Sequence, residues 1–241
     1  MSTDTAPRSP RSTRRQEILD VALGLFDEQG TGPVSTNHIA QAAGISPGNL
    51  YYWFPNKQAI IRALFERWQE ESLADLGWAG VAEEDSAAEA PEPEEALRSL
   101  VAALAAQSAV TRRFAVLARE LVGLLRADDE IAQVYRSSYE RRVAAIAAVV
   151  ENLVRAGLMR APAPPLTMDD VVRSAWVLAE FTPGFVEVTA AHPDTASTVA
   201  PDEALTERLS VALLLAHLTP NGLRALNPPA DPDRAGSHQP K

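Results

Sequence analysis

The sequence contains no cysteine, which excludes disulfide bonds and thiolate metal sites. Its longest uninterrupted apolar run, at 143–150, is much shorter than the roughly 20 residues of a membrane-spanning helix. The chain opens with the polar stretch MSTDTAPRSPRS, which lacks the apolar segment of a signal peptide. Together these absences predict a cytoplasmic protein with no membrane partner.

Sequence signals of catalysis and cofactor binding are also scarce. There is no phosphate-cradling glycine loop and no pair of histidines at the helical spacing of a metal site. Two of the four histidines, His192 and His217, lie near predicted helix ends without a nucleophile or base beside them. We therefore predict that the protein is not an enzyme and holds no cofactor or metal.

Strand patterns are nearly absent, whereas apolar residues recur at helical spacing along the chain, which predicts an all-α fold. We expect the first helix to open at Thr13 and end near Gly30. The later helices are predicted at 56–76, 94–108, 110–127, 129–156, 167–181, 185–191 and 202–218, with an acidic loop at 79–93, a Pro-rich connector from Ala161 and a break or kink at Pro183.

The segment 35–54 carries the clearest start and stop signals. Ser35 or Thr36 can cap a short helix that ends at Gly44, and Ser46 can cap a second one that opens with Pro47. Pro55 then stops this helix at Phe54. Apolar spacing predicts that the two helices pack together through Ile39, Ala40, Ala43, Ile45, Leu50 and Trp53. This pattern is typical of a DNA-binding helix-turn-helix, and the alternative is an ordinary helical hairpin in a core.

The distribution of charge favours the DNA-binding interpretation. The chain carries a net charge of −10, yet no Asp or Glu occurs between Gln29 and Phe65, where Lys57 and Arg62 are present. The segment 75–95, by contrast, contains eight carboxylates and no Lys or Arg. Because a duplex repels carboxylates, an acid-free segment on an acidic protein suits a DNA-facing surface.

Cations are predicted at two helix starts, where they oppose the helix dipole. Arg14 and Arg15 follow Thr13, which forms a capping-box pattern with Gln16, and Lys57 follows the predicted cap Asn56. A phosphate group at each helix start would offset this cost and use the free N–H groups. Tolerated surface charges are the alternative interpretation.

The residues from 12 to 72 resemble the TetR family of bacterial transcriptional regulators. The resemblance rests on RRQEILDVALGLFDEQG, STNHIAQAAG, ISPGNLYYWFPNK and QAIIRALFERW, and beyond residue 72 only the helical pattern is similar. The resemblance implies a three-helix DNA-binding head at 12–72 and a larger helical body at 73–218 that dimerises and usually contains a small-molecule pocket. We expect a disordered arm at 1–11, and the Pro, Asp and Gly content of 219–241 predicts a disordered tail.

The resemblance also implies roles for single residues, with the recognition helix at 47–53. Asn37 and Asn49 have the paired donor and acceptor that suit an adenine edge, Gly48 allows close approach of the backbone, and Tyr51 and Tyr52 can reach phosphate and a thymine methyl. For Trp53 and Phe54 we favour the core. The full predicted DNA-contact set is Arg14, Arg15, Ser35, Thr36, Asn37, Ser46, Pro47, Gly48, Asn49, Tyr51, Tyr52 and Lys57.

Two further sets are predicted in the body. A dimer seam is predicted at Val172, Ala175, Trp176, Ala179, Leu205, Leu209, Ala212, Leu213 and Ala216, with a core of the protomer as the alternative. A pocket for a small apolar effector is predicted at Phe114, Arg119, Glu120, Tyr135, Tyr139, Trp176 and Phe181, again with plain core as the alternative.

These observations predict a dimeric, sequence-specific regulator that binds a palindromic double-stranded DNA operator. Repression is favoured over activation because occluding a promoter needs only tight binding. The alternative is a helical protein–protein interaction module that does not bind DNA.

Overall fold

The computed structural model describes residues 10–74, 91–190 and 205–227, and over these ranges the chain forms ten α-helices. They are α1 (Pro10–Gln29), α2 (Thr36–Ala42), α3 (Pro47–Trp53), α4 (Lys57–Ala74), α5 (Pro93–Arg113), α6 (Ala115–Ala127), α7 (Asp129–Arg155), α8 (Met168–Ala190), α9 (Leu205–His217) and α10 (Pro220–Leu226). The described ranges contain no strand, only an isolated β-bridge between Met159 and Leu218. The predicted all-α fold is confirmed.

The chain divides into two compact units, and the first contains the described residues 10–74, 109–139 and 183–190. Here α1 packs against α2, α4 and α6. The largest fully buried side chains of this unit include Ile18, Phe26, Ile39, Leu50, Phe65, Trp68, Phe114 and Leu117. Since Ile39 and Leu50 belong to α2 and α3, the two short helices are anchored in this core. The predicted functional boundary at residue 72 stays a prediction, because this packing unit also includes 109–139.

The second unit contains the described residues 91–108, 140–182 and 205–227. Its buried apolar residues include Leu97, Leu100, Val150, Leu153, Leu158, Val172, Trp176, Leu214 and Leu218. Two backbone hydrogen bonds join the turn after α7 to the end of α9, from Thr219 N to Leu158 O (3.0 Å) and from Arg160 N to His217 O (2.7 Å).

Several predicted helix ends are confirmed. Asp128 caps α7 by accepting the N–H groups of Glu130 (3.0 Å) and Ile131 (3.3 Å). Gly157 follows α7 with φ +72°, a left-handed conformation that glycine adopts at little cost. Asn56 Oδ1 accepts the N–H of Ala59 at 2.8 Å, so this residue caps α4 as predicted.

Three predicted helix ends are wrong. Helix α1 begins at Pro10, so Thr13 lies inside it. The junction between α5 and α6 lies at Phe114 and not at Ala109, because the Ser108 hydroxyl donates to Leu104 O at 3.2 Å and is accommodated within the helix. Helix α8 continues through Pro183, so the predicted break there is wrong, whereas a kink at this proline stays a prediction. A proline inside a helix removes one backbone donor and crowds the carbonyl four residues earlier, and the 23 residues of α8 continue despite this cost.

The predicted disorder of the tail is wrong at 220–226, which form α10. Thr219 accepts the N–H of Gly222 at 3.1 Å and Pro220 occupies the first helical position, so the residues that signalled disorder build a helix start. The predicted disordered arm at 1–11 is wrong at Pro10 and Arg11, which lie in α1. The rest of the arm (1–9), most of the acidic loop, the residues 191–204 and the end of the tail lie outside the described residues.

Within the described ranges, no single helix has both the length and the apolar character to cross a membrane. Only α5 and α6 taken together reach that length and composition, and the pair is bent by 79°.

Candidate nucleic-acid interface

Helix α2 is held at its start by a reciprocal pair of hydrogen bonds. Ser35 Oγ accepts the N–H of His38 at 3.2 Å, and His38 Nδ1 accepts the N–H of Ser35 at 3.3 Å. This is a capping box in which histidine replaces the usual Glu or Gln, and the predicted cap at Ser35 is confirmed. The sequence reasoning missed His38, although its position three residues after Ser35 was the available signal. After α2, Gly44 has φ +65° and turns the chain towards α3.

Helix α3 has the predicted bounds. Ser46 Oγ accepts the N–H of Asn49 at 3.2 Å, Pro47 is the first helical residue, and the helix ends before Phe54. Ser46 is also the serine of a Gly-x-Ser-x-Gly sequence at 44–48, the spacing of a hydrolase nucleophile. Here that serine connects two helices and its hydroxyl caps the second, which is a structural role.

One side of α3 is buried and the other is open. Leu50 is fully buried, Phe54 is nearly so, and Trp53 packs against the same core, as predicted. The side chains of Tyr51 and Tyr52 are 49% and 65% exposed. Most of the predicted DNA-contact set is likewise exposed, including Asn37, Ser46, Pro47, Gly48 and Asn49. The predicted contact residues of α3 therefore lie on its accessible side, and their contact with DNA stays a prediction.

A hydrogen bond joins the two short helices at the exposed surface. The Thr36 hydroxyl of α2 lies 3.1 Å from the Tyr51 hydroxyl of α3. Tyr52 packs edge-on against Trp53, with ring centroids 5.3 Å apart. Two predicted contact residues, Thr36 and Tyr51, are thus already oriented by the protein.

The structure corrects the argument for Arg14 and Arg15. Because α1 begins at Pro10, these residues do not lie in its first turn. Arg14 forms an ion pair with Glu17 at 2.6 Å and donates to Ala43 O at 3.2 Å, near the end of α2. The Arg15 guanidinium lies 5.3 Å from the centroid of the Phe54 ring. Both arginines therefore have structural contacts within the head. A phosphate contact by either of them would be made in addition to these contacts.

The cations Lys57 and Arg62 also have internal partners. Lys57 Nζ donates to Thr31 O at 2.7 Å and to Gly32 O at 2.9 Å, which ties the start of α4 to the loop after α1. An ammonium has three donors, so one stays available for a phosphate. Arg62 Nε donates to Asp128 Oδ2 at 2.7 Å, and its guanidinium also pairs with Glu130. The segment 30–64 contains no Asp or Glu, but the folded chain brings the carboxylates of Asp128 and Glu130 next to its Arg62.

The electrostatics of Asp128 follow from these contacts. Burial alone would raise its pKa, but hydrogen bonds from Arg62, Gln58 and the N–H of Ile131 lower the pKa of this carboxyl to about 2. The hydrogen bond to Asp128 in turn raises the pKa of Arg62 above its ordinary value. Both groups are charged at neutral pH, and they join α4 to the start of α7.

Comparison with protein families agrees with this architecture. A family model described as bacterial regulatory proteins, tetR family, matches residues 18–64. A second, described as bacterial transcriptional repressor, matches residues 82–226, which is more than half of the chain. The chain belongs to the TetR family.

Individual relatives match this TetR-family chain over its N-terminal quarter. The nucleoid occlusion factor SlmA of Haemophilus ducreyi is 40% identical over 65 residues, which are 27% of this chain and 32% of that protein. The transcriptional regulator AcrR of Shigella flexneri is 40% identical over 62 residues, or 26% of this chain and 28% of that protein. The chain thus spans about a third of the length of the curated relatives that it matches.

A solved structure matches over a larger part. The crystal structure of a TetR-family transcriptional regulator from Marinobacter aquaeolei VT8 aligns with a TM-score of 0.67 and 27% identity. The alignment covers 88% of this chain and 95% of that one.

The effector residues predicted in the first unit fall into two groups. Phe114 is fully buried and stacks on Trp68 with a centroid distance of 6.3 Å. The guanidinium groups of Arg67 and Arg113 lie over its ring, so Phe114 packs as a core residue. Tyr135 and Tyr139 stack on each other at 6.5 Å.

Arg119 and Glu120 instead line a polar cleft of about 420 Å³ with Asp27, Glu28, Gln29, Gly30 and Gly184. Glu120 accepts the N–H of Thr31 at 3.0 Å and also the Thr31 hydroxyl. Among the described residues, this cleft contains Arg119 and Glu120 but none of the predicted aromatic residues, and the role of the set in ligand binding stays a prediction.

In the second unit, Trp176 is buried and the Arg142 guanidinium lies 4.3 Å from its ring centroid. The side chain of Phe181 is 42% exposed. Glu180 is buried on the same helix, with Oε1 3.9 Å from Arg142 Nη1. Burial raises the pKa of Glu180 to about 7, and the positive charge of Arg142 only partly opposes this shift. Sequence reasoning missed this buried pair because its members are far apart along the chain.

The predicted dimer seam is corrected for two residues of α8. Val172 and Trp176 are buried within the second unit, so they cannot form an exposed seam. Periodicity identifies an apolar stripe on a helix but not the surface that the stripe covers. The exposed large apolar residues of α8 in this unit are Val177 and Phe181. The other predicted seam residues are half-buried at Ala175, Ala179, Leu205, Leu209 and Leu213 and exposed at Ala212 and Ala216.

Proposed function

We propose that this TetR-family protein is a DNA-binding transcriptional regulator that inserts α3 into the major groove of a specific operator. The observation that carries this proposal is the two-sided character of α3, where a fully buried Leu50 fixes a helix whose other side exposes Gly48, Asn49 and Tyr52. A helix of about two turns with an exposed polar start is what major-groove readout requires. A regulator of this kind would act in the cytoplasm, where chromosomal DNA is accessible.

We further propose that the protein acts as a homodimer on a palindromic operator. A single α3 reaches only a few base pairs, so such heads work in pairs on half-sites about one helical turn apart. Exposed apolar residues on α8 and α9 support this assembly. They are Val177 and Phe181 on α8, and Ala212, Leu215 and Ala216 on α9. Repression by occlusion needs no surface beyond the one that binds the operator. Its relief by a small-molecule effector would need a ligand site that favours the free protein.

Selection of an operator from a pool of random duplexes tests DNA recognition directly. We expect a palindromic sequence, an affinity at least about 10³-fold above that for random duplex, and a steep loss of affinity with added salt. An interaction module that does not read DNA would yield no enriched sequence and no salt dependence.

The dimer is tested by sedimentation with two charged variants. Phe181→Asp should produce a monomer with weakened operator affinity. Leu223→Asp is the matched control, since Leu223 is 45% exposed on α10, and it should remain dimeric. A dimeric Phe181→Asp protein would contradict the proposed seam.

A further inference from the structure

Helices α2 and α3, and the turn between them, contain no charged side chain that could read a base. There is no Asp or Glu between Gln29 and Phe65, and no Lys or Arg between Arg15 and Lys57. In the major groove, Arg and Lys match the two acceptors of guanine, and Asp and Glu accept from the amino group of cytosine. The two short helices therefore lack every charged reader of a G·C pair.

The cations nearest to these helices in sequence have contacts within the protein. Arg14 forms an ion pair of 2.6 Å inside α1, and the Arg15 guanidinium lies over the Phe54 ring. Lys57 Nζ donates to two loop carbonyl groups at 2.7 and 2.9 Å, and Arg62 pairs with two carboxylates of α7 and its cap. Pairing of any of these groups with guanine would compete with the contact that it already makes.

Amide side chains are exposed on both helices instead. Asn37 lies in the first turn of α2 and Asn49 in the first turn of α3, and both are exposed. Asn49 bonds Ser46 through its backbone N–H, so its side-chain amide is available to the DNA. An amide presents one donor and one acceptor side by side, which match N6 and N7 of adenine, whereas guanine presents two acceptors on the same edge. These side chains therefore favour adenine.

Other polar groups of the pair do not supply the pattern that guanine requires. His38 Nδ1 accepts the N–H of Ser35, so a neutral imidazole has only its Nε2–H left as a donor. The hydroxyl groups of Thr36 and Tyr51 lie 3.1 Å apart and bond each other. The Tyr52 ring is 65% exposed and presents an apolar surface of the kind that contacts a thymine methyl.

We propose that the operator positions contacted by α2 and α3 are A·T pairs. The amides of Asn37 and Asn49 each bind N6 and N7 of an adenine, and Tyr52 contacts a thymine methyl. G·C pairs of the operator lie where these two helices do not contact the bases. The inference rests on the proposed function, for which it names the base pairs that α2 and α3 recognise.

Operator selection with single variants of the full chain tests the base class. Asn37→Ala and Asn49→Ala should each relax one position per half-site, and that position should be A·T in the wild-type selection. The wild-type protein should discriminate against other pairs there by about fivefold to a hundredfold. Gln29→Ala, which removes an exposed amide of α1, is the matched control and should relax no position. A G·C pair at a relaxed position, or an asparagine variant that relaxes none, would overturn the proposal.

Modified bases identify the atoms that are read. Replacing the relaxed adenine by 7-deazaadenine removes N7 and should weaken wild-type binding by about tenfold, without further weakening Asn49→Ala at its own position. Replacing the contacted thymine by uracil removes the methyl group and should weaken the wild type by about threefold or more, but not Tyr52→Ala. Tyr52→Phe, which keeps the ring, is the matched control and should respond to uracil as the wild type does. Equal losses in the wild type and the alanine variants would refute the assigned contacts.

The outcomes distinguish this inference from the proposed function. A selected palindrome with G·C pairs at the relaxed positions would overturn the base class alone, and operator recognition by α3 would stand. The absence of any enriched sequence would overturn both.

Discussion

Asp128 accepts a 2.7 Å hydrogen bond from Arg62, and the same carboxylate caps α7. Its side chain is 1% exposed, whereas that of Arg62 is 36% exposed. One buried carboxylate thus joins α4, the helix that follows α2 and α3, to the start of α7. Glu130 pairs with the same guanidinium but is 70% exposed.

This relationship predicts the acid stability of the protein. Since the folded-state pKa of Asp128 is lowered to about 2, its contribution to stability is complete above its ordinary pKa of 3.8 and is lost as the pH falls from there towards 2. Asp128→Asn should lower the free energy of unfolding at pH 7 by about 1–3 kcal/mol and flatten this acid limb. Glu130→Gln, the exposed control, should change it by less than about 0.5 kcal/mol. Equal effects in urea titrations of the two variants would contradict the assignment.

We expect Lys57 both to stabilise the loop after α1 and to contact a phosphate of the DNA. Lys57→Ala should lower the free energy of unfolding by about 1–3 kcal/mol, because it removes charged hydrogen bonds to two carbonyl groups. It should also reduce the slope of log affinity against log salt by about one unit. An unchanged slope in filter-binding titrations would leave Lys57 with the structural role alone.

The helix-turn-helix was predictable because its signals are local. The caps Ser35 and Ser46 and the turn at Gly44 each act within four residues, so sequence spacing is enough to locate them. Burial of Leu50 and exposure of Tyr52 followed from helical periodicity in the same segment.

Features that depend on distant partners were not predictable in this way. Nothing near Arg62 signals its pairing with Asp128, and nothing near Arg142 signals Glu180. Helix α8 has apolar residues on more than one face, so periodicity alone could not distinguish buried Trp176 from exposed Val177. Helix α10 was missed because its cap residues also have the composition of a disordered tail.

Asn49 is expected to read a base. Its backbone N–H, and not its side chain, bonds Ser46, so Asn49→Ala should leave the α3 cap intact. The variant should lose about 1–3 kcal/mol of binding free energy on the selected operator and relax one base position. Competition with single-base operator variants measures both effects. Equal weakening on operator and random duplex would contradict base readout.

Glu180 predicts a second pH dependence, with the opposite sign to that of Asp128. Burial raises its folded-state pKa to about 7 from an ordinary 4.5, so the contribution of Glu180 to stability is complete below pH 4.5 and is lost as the pH rises from there through 7. The loss approaches roughly 3 kcal/mol if Glu180 ionises without structural change. Glu180→Gln should remove this fall, whereas Glu140→Gln, at an exposed position of α7, should retain it. Urea titrations between pH 5 and about 8 cover the window, and a wild-type profile that does not decline would show that Glu180 remains ionised.

Substitution of Gly48 distinguishes what folding requires at this position from what DNA binding requires. A Cβ added at Gly48 would meet no atom within 4 Å, and its φ is not in the left-handed region, so the fold itself does not require glycine there. Gly24, exposed in α1, has the same properties and is the matched control. Alanine at either position should raise the free energy of unfolding by about 0.5–1 kcal/mol, because it reduces the conformational freedom of the unfolded chain. Only Gly48→Ala should weaken operator binding, by about tenfold or more, if α3 enters the groove with its backbone close to the DNA. Both variants are compared by urea titration and by operator-binding titration. Equal operator affinities would indicate that the start of α3 does not approach the duplex.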